Sequence, residues 1–317
     1  MMQSRRSWLL MCAGAASAQT EQVREASGVA RMGSYLLIAD DSTVGRYFRL
    51  KLPRRPAGLL LLNDLDPQAV RLKQATLAID LESIGVLADG RIVALSERLR
   101  SLVDDGGIVA EYDSLFSEVG KRGLEGLAIR PLARQASRIA VLWEGGYPDT
   151  GSLPERLRTP RAPQPLLPLV LVHDLAAHGR AGRLKLASAV STVELDVPHL
   201  PGEEPAAQRF RAPDLVWTRL GEDWGFIVLI TSQNAGPNPS YENHWLQRFT
   251  SEGQRFGERL DLGKLAPAAH AGANWEGLCW LEAGRTLIVV HEAQAKLPAA
   301  ALVVELPAEW QCRGEGL

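Results

Sequence analysis

The chain has 317 residues, 46% of them hydrophobic, and a formal net charge of -2. This length and composition are enough to bury a large core in one domain or in two. The near-neutral charge excludes the basic surface typical of nucleic-acid-binding proteins, so a small soluble partner is expected instead.

The N-terminus has the pattern of an export signal. A pair of arginines at positions 5 and 6 precedes a short apolar run, and Ala16-Ser17-Ala18 is a cleavage pattern that would leave Gln19 first. The pair resembles a bacterial twin-arginine signal, with ordinary secretion as one alternative and a frayed helix of a cytosolic protein as another. We predict a signal peptide over residues 1–18, one domain over residues 19–317, and a periplasmic or extracellular protein. No later apolar run is long enough to cross a bilayer.

The rest of the chain repeats one pattern. An acidic residue and a glycine lead into a buried strand, and a tight turn and a second buried strand end in another acidic residue. The clearest copy runs from Asn274-Trp275-Glu276-Gly277 to His291-Glu292, the same arrangement occurs from residues 80 and 123, and looser copies start near residues 26 and 214. Units that recur every forty to ninety residues or so are typical of a radial array of small sheets. We therefore predict an all-β fold, a β-propeller of five or six four-stranded blades.

The predicted strands follow from β-favouring apolar runs bounded by turn formers. One strand is expected directly after Gly277. The other predicted strands are residues 29–32, 35–39, 46–52, 84–87, 92–95, 108–112, 127–130, 139–143, 169–173, 190–195, 215–219, 226–231, 245–250, 286–290 and 301–305. The fourth strand of the first blade is expected at residues 59–62 or 75–79, and residues 99–103 are interpreted as an irregular connection. A sixth blade would have to come from residues 166–197.

This repeat predicts an acidic ring at one mouth of the propeller. The start of the first strand and the end of the second meet at one rim, and the glycines after the acidic residues let the strands converge. Crowded carboxylates raise each other's pKa unless a cation neutralises them, and calcium accepts many oxygen ligands in flexible geometry. We predict catalytic roles for Glu82, Glu125 and Glu276, and metal binding by Asp40, Asp41, Glu97, Glu144 and Glu292.

Two other uses of these residues stay open. Any one acid could instead accept backbone hydrogen bonds from the next blade, which is a purely architectural use. Ser27 and His291, on the first and last repeats, could also form a serine esterase site, with Asp40 or Glu292 orienting the histidine.

Two loops at the same rim are expected to select the substrate. The proline-rich insertion at residues 145–168 carries Arg156, Arg158 and Arg161, and a second loop begins at Asn234. These cationic and amide groups are predicted to bind an anionic small molecule, an ester or a phosphate-bearing substrate.

The mature chain would keep two cysteines, Cys279 in the last repeat and Cys312 near the C-terminus. An oxidising compartment would permit a disulfide between them, which would fix the C-terminal tail to the last blade. The alternative is two unrelated thiols, with Cys279 as a small buried hydrophobic residue.

The repeats resemble the phytase-like propeller family described by "esterase-like activity of phytase". The resemblance lies in short motifs, Ala26-Ser27-Gly28-Val29, Gly123-Leu124-Glu125-Gly126-Leu127 and Asn274-Trp275-Glu276-Gly277 among them, and follows nearly the whole mature chain in order. It implies an exported propeller with ester or phosphoester hydrolase activity. Val216, where other repeats carry glutamate, departs from the pattern.

These observations lead to one main hypothesis and two alternatives. The main one is an exported, calcium-assisted hydrolase of phosphate or carboxylic esters. The alternatives are a non-catalytic propeller that binds a ligand or a cell-envelope partner, and a lactonase of the gluconolactonase type.

Overall fold

The computed structural model describes residues 22–73, 80–112, 123–144, 167–184, 190–197, 208–234, 241–294 and 296–312. These residues are almost entirely β-structure, with one short helix, Leu262–Leu265, and a few 3-10 turns. In chain order the strands are β1 (Ala26–Met32), β2 (Tyr35–Asp40), β3 (Arg46–Lys51), β4 (Leu59–Leu61), β5 (Gln68–Arg71), β6 (Leu81–Val86), β7 (Ile92–Ser96), β8 (Ser101–Asp104), β9 (Gly107–Glu111), β10 (Leu124–Pro131), β11 (Ser137–Trp143), β12 (Leu169–Leu175), β13 (Gly182–Arg183), β14 (Ser191–Glu194), β15 (Gln208–Leu220), β16 (Asp223–Asn234), β17 (Tyr241–Thr250), β18 (Arg255–Asp261), β19 (Trp275–Glu282), β20 (Thr286–His291) and β21 (Ala300–Glu305).

The strands form five antiparallel blades arranged in a ring. Blade 1 is β1-β2-β3-β5, blade 2 is β6-β7-β8-β9, blade 3 is β10-β11-β12-β14, blade 4 is β15-β16-β17-β18, and blade 5 is β19-β20-β21-β4. The first strand of each blade contacts the first strands of the blades on either side, and β19 contacts β1, which closes the ring. The predicted β-propeller is confirmed, with five blades.

The core of the molecule lies between the blades. The second strand of blade 1, β2, has five consecutive buried residues, because both of its faces are covered by neighbouring blades. Apolar clusters fill the gaps between blades 2 and 3, 5 and 1, 4 and 5, 3 and 4, and 1 and 2. Since each blade buries its faces only against its neighbours, the ring must close for the core to be complete.

The expected position of the fourth strand of blade 1 was wrong. Residues 59–61 do form a strand, but β4 pairs with β21, so it completes blade 5 and not blade 1. The fourth strand of blade 1 is β5, paired with β3. A segment from the N-terminal part of the chain therefore completes the C-terminal blade. The Asn63 side chain stabilises this closure, because its Oδ1 accepts from the Val23 backbone N–H (2.9 Å) and its amide nitrogen donates to the Val23 carbonyl (3.1 Å). Residues 75–79 lie outside the described residues.

The middle of the chain also differs in detail from the prediction. Ser101–Asp104 is a regular strand, β8, where an irregular connection was expected. The described part of 166–197 makes no sixth blade, because β12 and β14 belong to blade 3 and β13 adds in parallel to the outer edge of blade 2. Among the described residues, no helix is long and apolar enough to span a bilayer.

Every blade has a β-bulge near the start of its first strand. In blades 1, 2, 3 and 5 one residue is inserted, and these residues are Ser27, Glu82, Glu125 and Glu276. A bulge leaves its extra residue outside the ladder and re-aims the side chain, so three glutamates turn to one mouth of the ring.

The strands come so close at the bulges that glycine is required. A Cβ on Gly28 would lie 2.4 Å from the Ser83 Cα, and one on Gly126 would lie 2.9 Å from the Asp214 Cα. The expectation that glycines let the strands converge is confirmed.

Candidate metal centre and active site

Three glutamates from three blades meet at the mouth of the ring. A carboxylate oxygen from each of Glu82, Glu125 and Glu276 lies within 4.8 Å of those from the other two. Glu82 and Glu276 are buried and Glu125 is partly exposed. The structure thus brings together the three residues for which catalytic roles are predicted, in a spacing that one cation could bridge.

A second set of carboxylates surrounds this cluster, from the residues that follow β7, β11 and β20. Glu97 accepts a hydrogen bond from the Gly123 backbone N–H (2.6 Å), which ties blade 2 to blade 3. Glu144 is buried, and Glu292 accepts from the Asn274 amide (2.9 Å). Of these three predicted metal ligands, Glu97 therefore has an architectural contact of the kind that the sequence left open.

The two aspartates after β2 have different surroundings. The Asp40 carboxylate accepts from the backbone N–H groups of Arg24 (2.8 Å), Glu25 (3.3 Å) and Ser42 (3.2 Å), so it fixes the chain at the entry to blade 1. Asp41 Oδ1 is buried and has no hydrogen-bond partner among the described residues. Asp40 is thus engaged by the backbone, whereas Asp41 keeps an acceptor available.

The electrostatic state of the ring follows from its crowding. Burial, followed by repulsion from Glu276, Asp41 and other acids, holds the pKa of Glu82 well above its usual range. Burial and the charges of Glu144 and Glu82 do the same to the pKa of Glu125. Burial, a hydrogen bond with Glu25 and neighbouring negative charges raise the pKa of Asp41 to about 9. A bound cation would reverse these shifts, because it stabilises the ionised carboxylates.

Arg211 and Asn274 complete the ring, and sequence reasoning assigned neither of them to the site. Arg211 forms an ion pair with Glu276, and its Nε lies 3.6 Å from Glu144 Oε2. Its charge also lowers the pKa of Glu125 and Glu292, against the larger effect of burial.

The Asn274 side chain lies at the base of the ring. Its amide nitrogen donates to both Glu276 and Glu292. Its Oδ1 is buried without a hydrogen-bond partner in the described part of the chain. A buried amide oxygen without a partner, on a side chain that contacts Glu276 and Glu292, is a suitable ligand for a hard cation.

Blade 4 departs from the other four blades, but not at the position expected. In its bulge residues 212 and 213 oppose residue 230, so these two occupy the place of the glutamate, and Val216 is an apolar core residue further along β15. The acid of this blade, Asp214, accepts from the backbone N–H groups of Leu127 (3.1 Å), Leu215 (2.9 Å) and Leu278 (2.7 Å). Asp214 therefore joins blades 3, 4 and 5.

The alternative serine esterase site is not assembled. The Ser27 hydroxyl donates to the carbonyl oxygens of Glu25 (3.1 Å) and Leu81 (3.2 Å). The two ring nitrogens of His291 contact the Glu292 carbonyl (2.7 Å) and His270 (2.8 Å). Burial lowers the pKa of His291 to about 4, so this histidine is neutral, but it is paired with His270 and not with a hydroxyl.

The two cysteines are free thiols in this structure, so the expected disulfide is not formed. Cys279 is buried among apolar residues of blades 5 and 1, and this burial raises its pKa. The Cys312 thiol lies 3.9 Å from the Thr218 hydroxyl of blade 4. The side chains thus pack towards different neighbours of blade 5.

The predicted substrate loops are mostly beyond the described part of the chain. Arg156, Arg158 and Arg161 lie outside the described residues. Asn234 is the last residue of β16 and pairs with Gln208, but the loop that follows it also lies outside.

Comparison of the sequence with protein-family models and with curated proteins finds no match. Among solved structures, the chain is similar to a gluconolactonase from Xanthomonas campestris (15% identity, TM-score 0.38, covering 90% of this chain and 87% of that chain). It is also similar to a calcium-binding regucalcin from Agrobacterium tumefaciens (9% identity, TM-score 0.38, covering 90% of this chain and 92% of that chain). Similarity at this level says nothing about activity, and the propeller assignment rests on the five blades themselves. The phytase-like resemblance stays a prediction.

Proposed function

We propose that the ring binds a divalent cation, calcium, and that the protein is a hydrolase of small esters. The observation that supports this most directly is the meeting of Glu82, Glu125 and Glu276 within 4.8 Å. The buried, unsatisfied Oδ1 of Asn274, whose amide nitrogen donates to Glu276, offers a neutral oxygen ligand next to this cluster. A donor set made only of oxygen atoms suits calcium or magnesium rather than zinc or copper, and its spread across separate blades suits the longer bonds of calcium.

The residues of the ring have distinct roles in this proposal. Glu82, Glu125, Glu276 and Asn274 would hold the cation, which when bound would supply Lewis acidity to polarise the ester. Glu292 lies at the rim, and burial raises its pKa. A carboxylate with a raised pKa is suited to take a proton from the attacking water. The water oxygen adds to the carbonyl carbon or phosphorus, the bond to the leaving oxygen breaks, and the proton passes from Glu292 to that oxygen.

The substrate class proposed is a phosphate or carboxylic ester, and a lactone is included as a cyclic carboxylic ester. Export to the periplasm or beyond and the absence of a nucleic-acid partner are part of the same proposal. A propeller that binds a cation and ligand without catalysis is the competing function.

Calorimetric titration of the metal-free protein with calcium tests the metal centre. We expect one tight site in the wild type and a loss of at least about tenfold in affinity for Glu276→Gln, because a carboxylate ligand is removed. Glu258→Gln, on the exposed strand β18, is the control that should bind as the wild type does. Absence of calcium binding by the wild type would contradict the metal centre.

Hydrolysis is tested on nitrophenyl phosphate, nitrophenyl acetate and δ-valerolactone, each with calcium and with a chelator. We expect turnover of at least one substrate class that calcium restores and that Glu292→Gln lowers without changing calcium affinity. Calcium binding with no turnover of any of the three would favour the non-catalytic propeller.

A further inference from the structure

At one position of the ring, blade 4 has a charged side chain where the other four blades have an apolar one. The last paired residue of the first strand before the bulge is Ala26, Leu81, Leu124 or Trp275 in the other blades, and all four are buried. In blade 4 this residue is Arg211, which pairs with Thr231. A guanidinium thus stands where the other blades place an apolar side chain.

Arg211 pairs with the carboxylate charge that a metal ion would need. It contacts Glu276, one of the three clustered glutamates, and its Nε lies 3.6 Å from Glu144. Its side chain is 19% exposed, so the group is largely removed from water but not fully enclosed. A guanidinium in this position is a counter-cation for the ring.

A divalent cation and this guanidinium cannot both use the Glu276 carboxylate without repulsion. Two positive charges a few ångströms apart, in surroundings less polar than water, repel each other more strongly than they would in bulk water. The ion pair with Glu276 must therefore weaken when the cation binds. The side chain is long, and part of it already faces solvent, so it can move to the channel mouth.

We infer that Arg211 is a counter-cation that divalent metal displaces, and that the displaced guanidinium becomes the anion-binding group of the site. This inference rests on the proposed metal centre. It narrows the substrate to an ester that carries an anionic group, a phosphate or carboxylate, beside the bond that is cleaved. Guanidinium groups bind both anions through two parallel hydrogen bonds.

The inference predicts two linked effects. Because metal and Arg211 compete, Arg211→Gln should bind calcium more tightly than the wild type, by about tenfold, since it removes the competing charge and keeps an amide donor. Because metal releases Arg211, methylphosphonate should bind more tightly in the presence of calcium than without it, and calcium should bind more tightly with methylphosphonate by the same factor. Arg211→Gln should lose this coupling.

Calorimetry with calcium alone, and with methylphosphonate in saturating calcium, measures both effects. Arg211→Lys keeps the positive charge but not the two-pronged geometry, so it should bind calcium as the wild type does and methylphosphonate at least about fivefold more weakly. Arg138→Gln, which breaks an exposed ion pair with Asp174 on blade 3, is the control and should change neither value.

The outcomes separate this inference from the proposed metal centre. If the wild type binds no calcium, the metal centre itself fails. If the wild type binds calcium and Arg211→Gln binds it equally or more weakly, the metal centre stands and displacement of Arg211 is wrong. If Arg211→Gln does not fold, a methylphosphonate affinity for Arg211→Lys equal to that of the wild type would overturn the assignment of Arg211 as the anion-binding group.

Discussion

Asp214 of blade 4 and Glu82 of blade 2 are both buried acids at the bulge of an innermost strand, yet their surroundings are opposite. Three backbone N–H groups from three blades donate to Asp214. Glu82 instead faces Glu276, Asp41, Glu97 and Glu144. Burial holds the pKa of each well above its usual range, and at Asp214 the three backbone hydrogen bonds oppose part of this rise.

The difference teaches how to separate an architectural acid from a functional one in a propeller. A carboxylate whose oxygens are saturated by backbone donors stabilises the fold and has nothing left for a ligand. A carboxylate surrounded by other carboxylates destabilises the fold, and the binding of a ligand at that place explains why it is there. Substitutions at the two positions should therefore change stability in opposite directions.

The largest effect is expected for Asp214→Asn. The amide keeps the shape but has one acceptor oxygen in place of two, so a backbone N–H of a neighbouring blade loses its partner. We expect the free energy of unfolding in urea to fall by about 3 kcal/mol, since a buried N–H left without a partner costs about 1 to 3 kcal/mol. Asp174→Asn, on the exposed ion pair of blade 3, is the control. A loss below about 1 kcal/mol at position 214 would contradict the conclusion that Asp214 stabilises the junction of blades 3, 4 and 5.

A smaller effect of opposite sign is expected for Glu82→Gln without metal. Replacing a buried carboxylate among like charges by a neutral amide removes repulsion, and we expect a gain of roughly 2 kcal/mol in the free energy of unfolding. Calcium should then stabilise the variant less than it stabilises the wild type, because a ligand is lost. Destabilisation of the metal-free variant would mean that Glu82, like Asp214, is architectural.

The fold was predictable because its repeat is local. Asp89-Gly90 lies in the turn between β6 and β7, and the positive φ of Gly90 (85°) is one that glycine adopts without strain. The partner of β4 was not predictable, because Leu59–Leu61 has no feature that distinguishes blade 1 from blade 5. Pairing with β21 joins segments more than two hundred residues apart, and only the closed ring determines it.

The site was predictable to the extent that the repeat sets the bulge. Glu82, Glu125 and Glu276 share a position relative to the start of their strands, and the bulge turns all three the same way. The same reasoning fails for blade 4, because its bulge contains two residues, 212 and 213, in place of one. The residues of this blade are therefore shifted relative to the matching positions of the other blades. One sequence signal was available, since Ala212-Pro213, between Arg211 and Asp214, interrupts a long β-favouring run.

The smallest predicted effect is a change of stability with pH, and the raised pKa of Asp41 determines its direction. Its pKa is raised from 3.8 to about 9, so the folded state holds this proton more tightly than the unfolded state, and the contribution to stability is lost as pH rises towards 9. His291 acts oppositely, since its pKa falls from 6.5 to about 4, but it is neutral in both states above pH 6.5. Between pH 6.5 and 9 the metal-free protein should therefore lose stability.

The size of this loss is about 1 kcal/mol, because the partial exposure of Asp41 screens the interaction. Unfolding in urea at several pH values measures it. Asp41→Asn should flatten the profile, since the amide does not titrate, and saturating calcium should do the same, because a cation keeps the carboxylates ionised in the folded state. Asp174→Asn should leave the slope unchanged, because the pKa of Asp174 is lowered by Arg138 and lies far below this window. A slope that survives Asp41→Asn would place the titrating proton elsewhere in the ring, with Glu82 and Glu125 as the residues to substitute next.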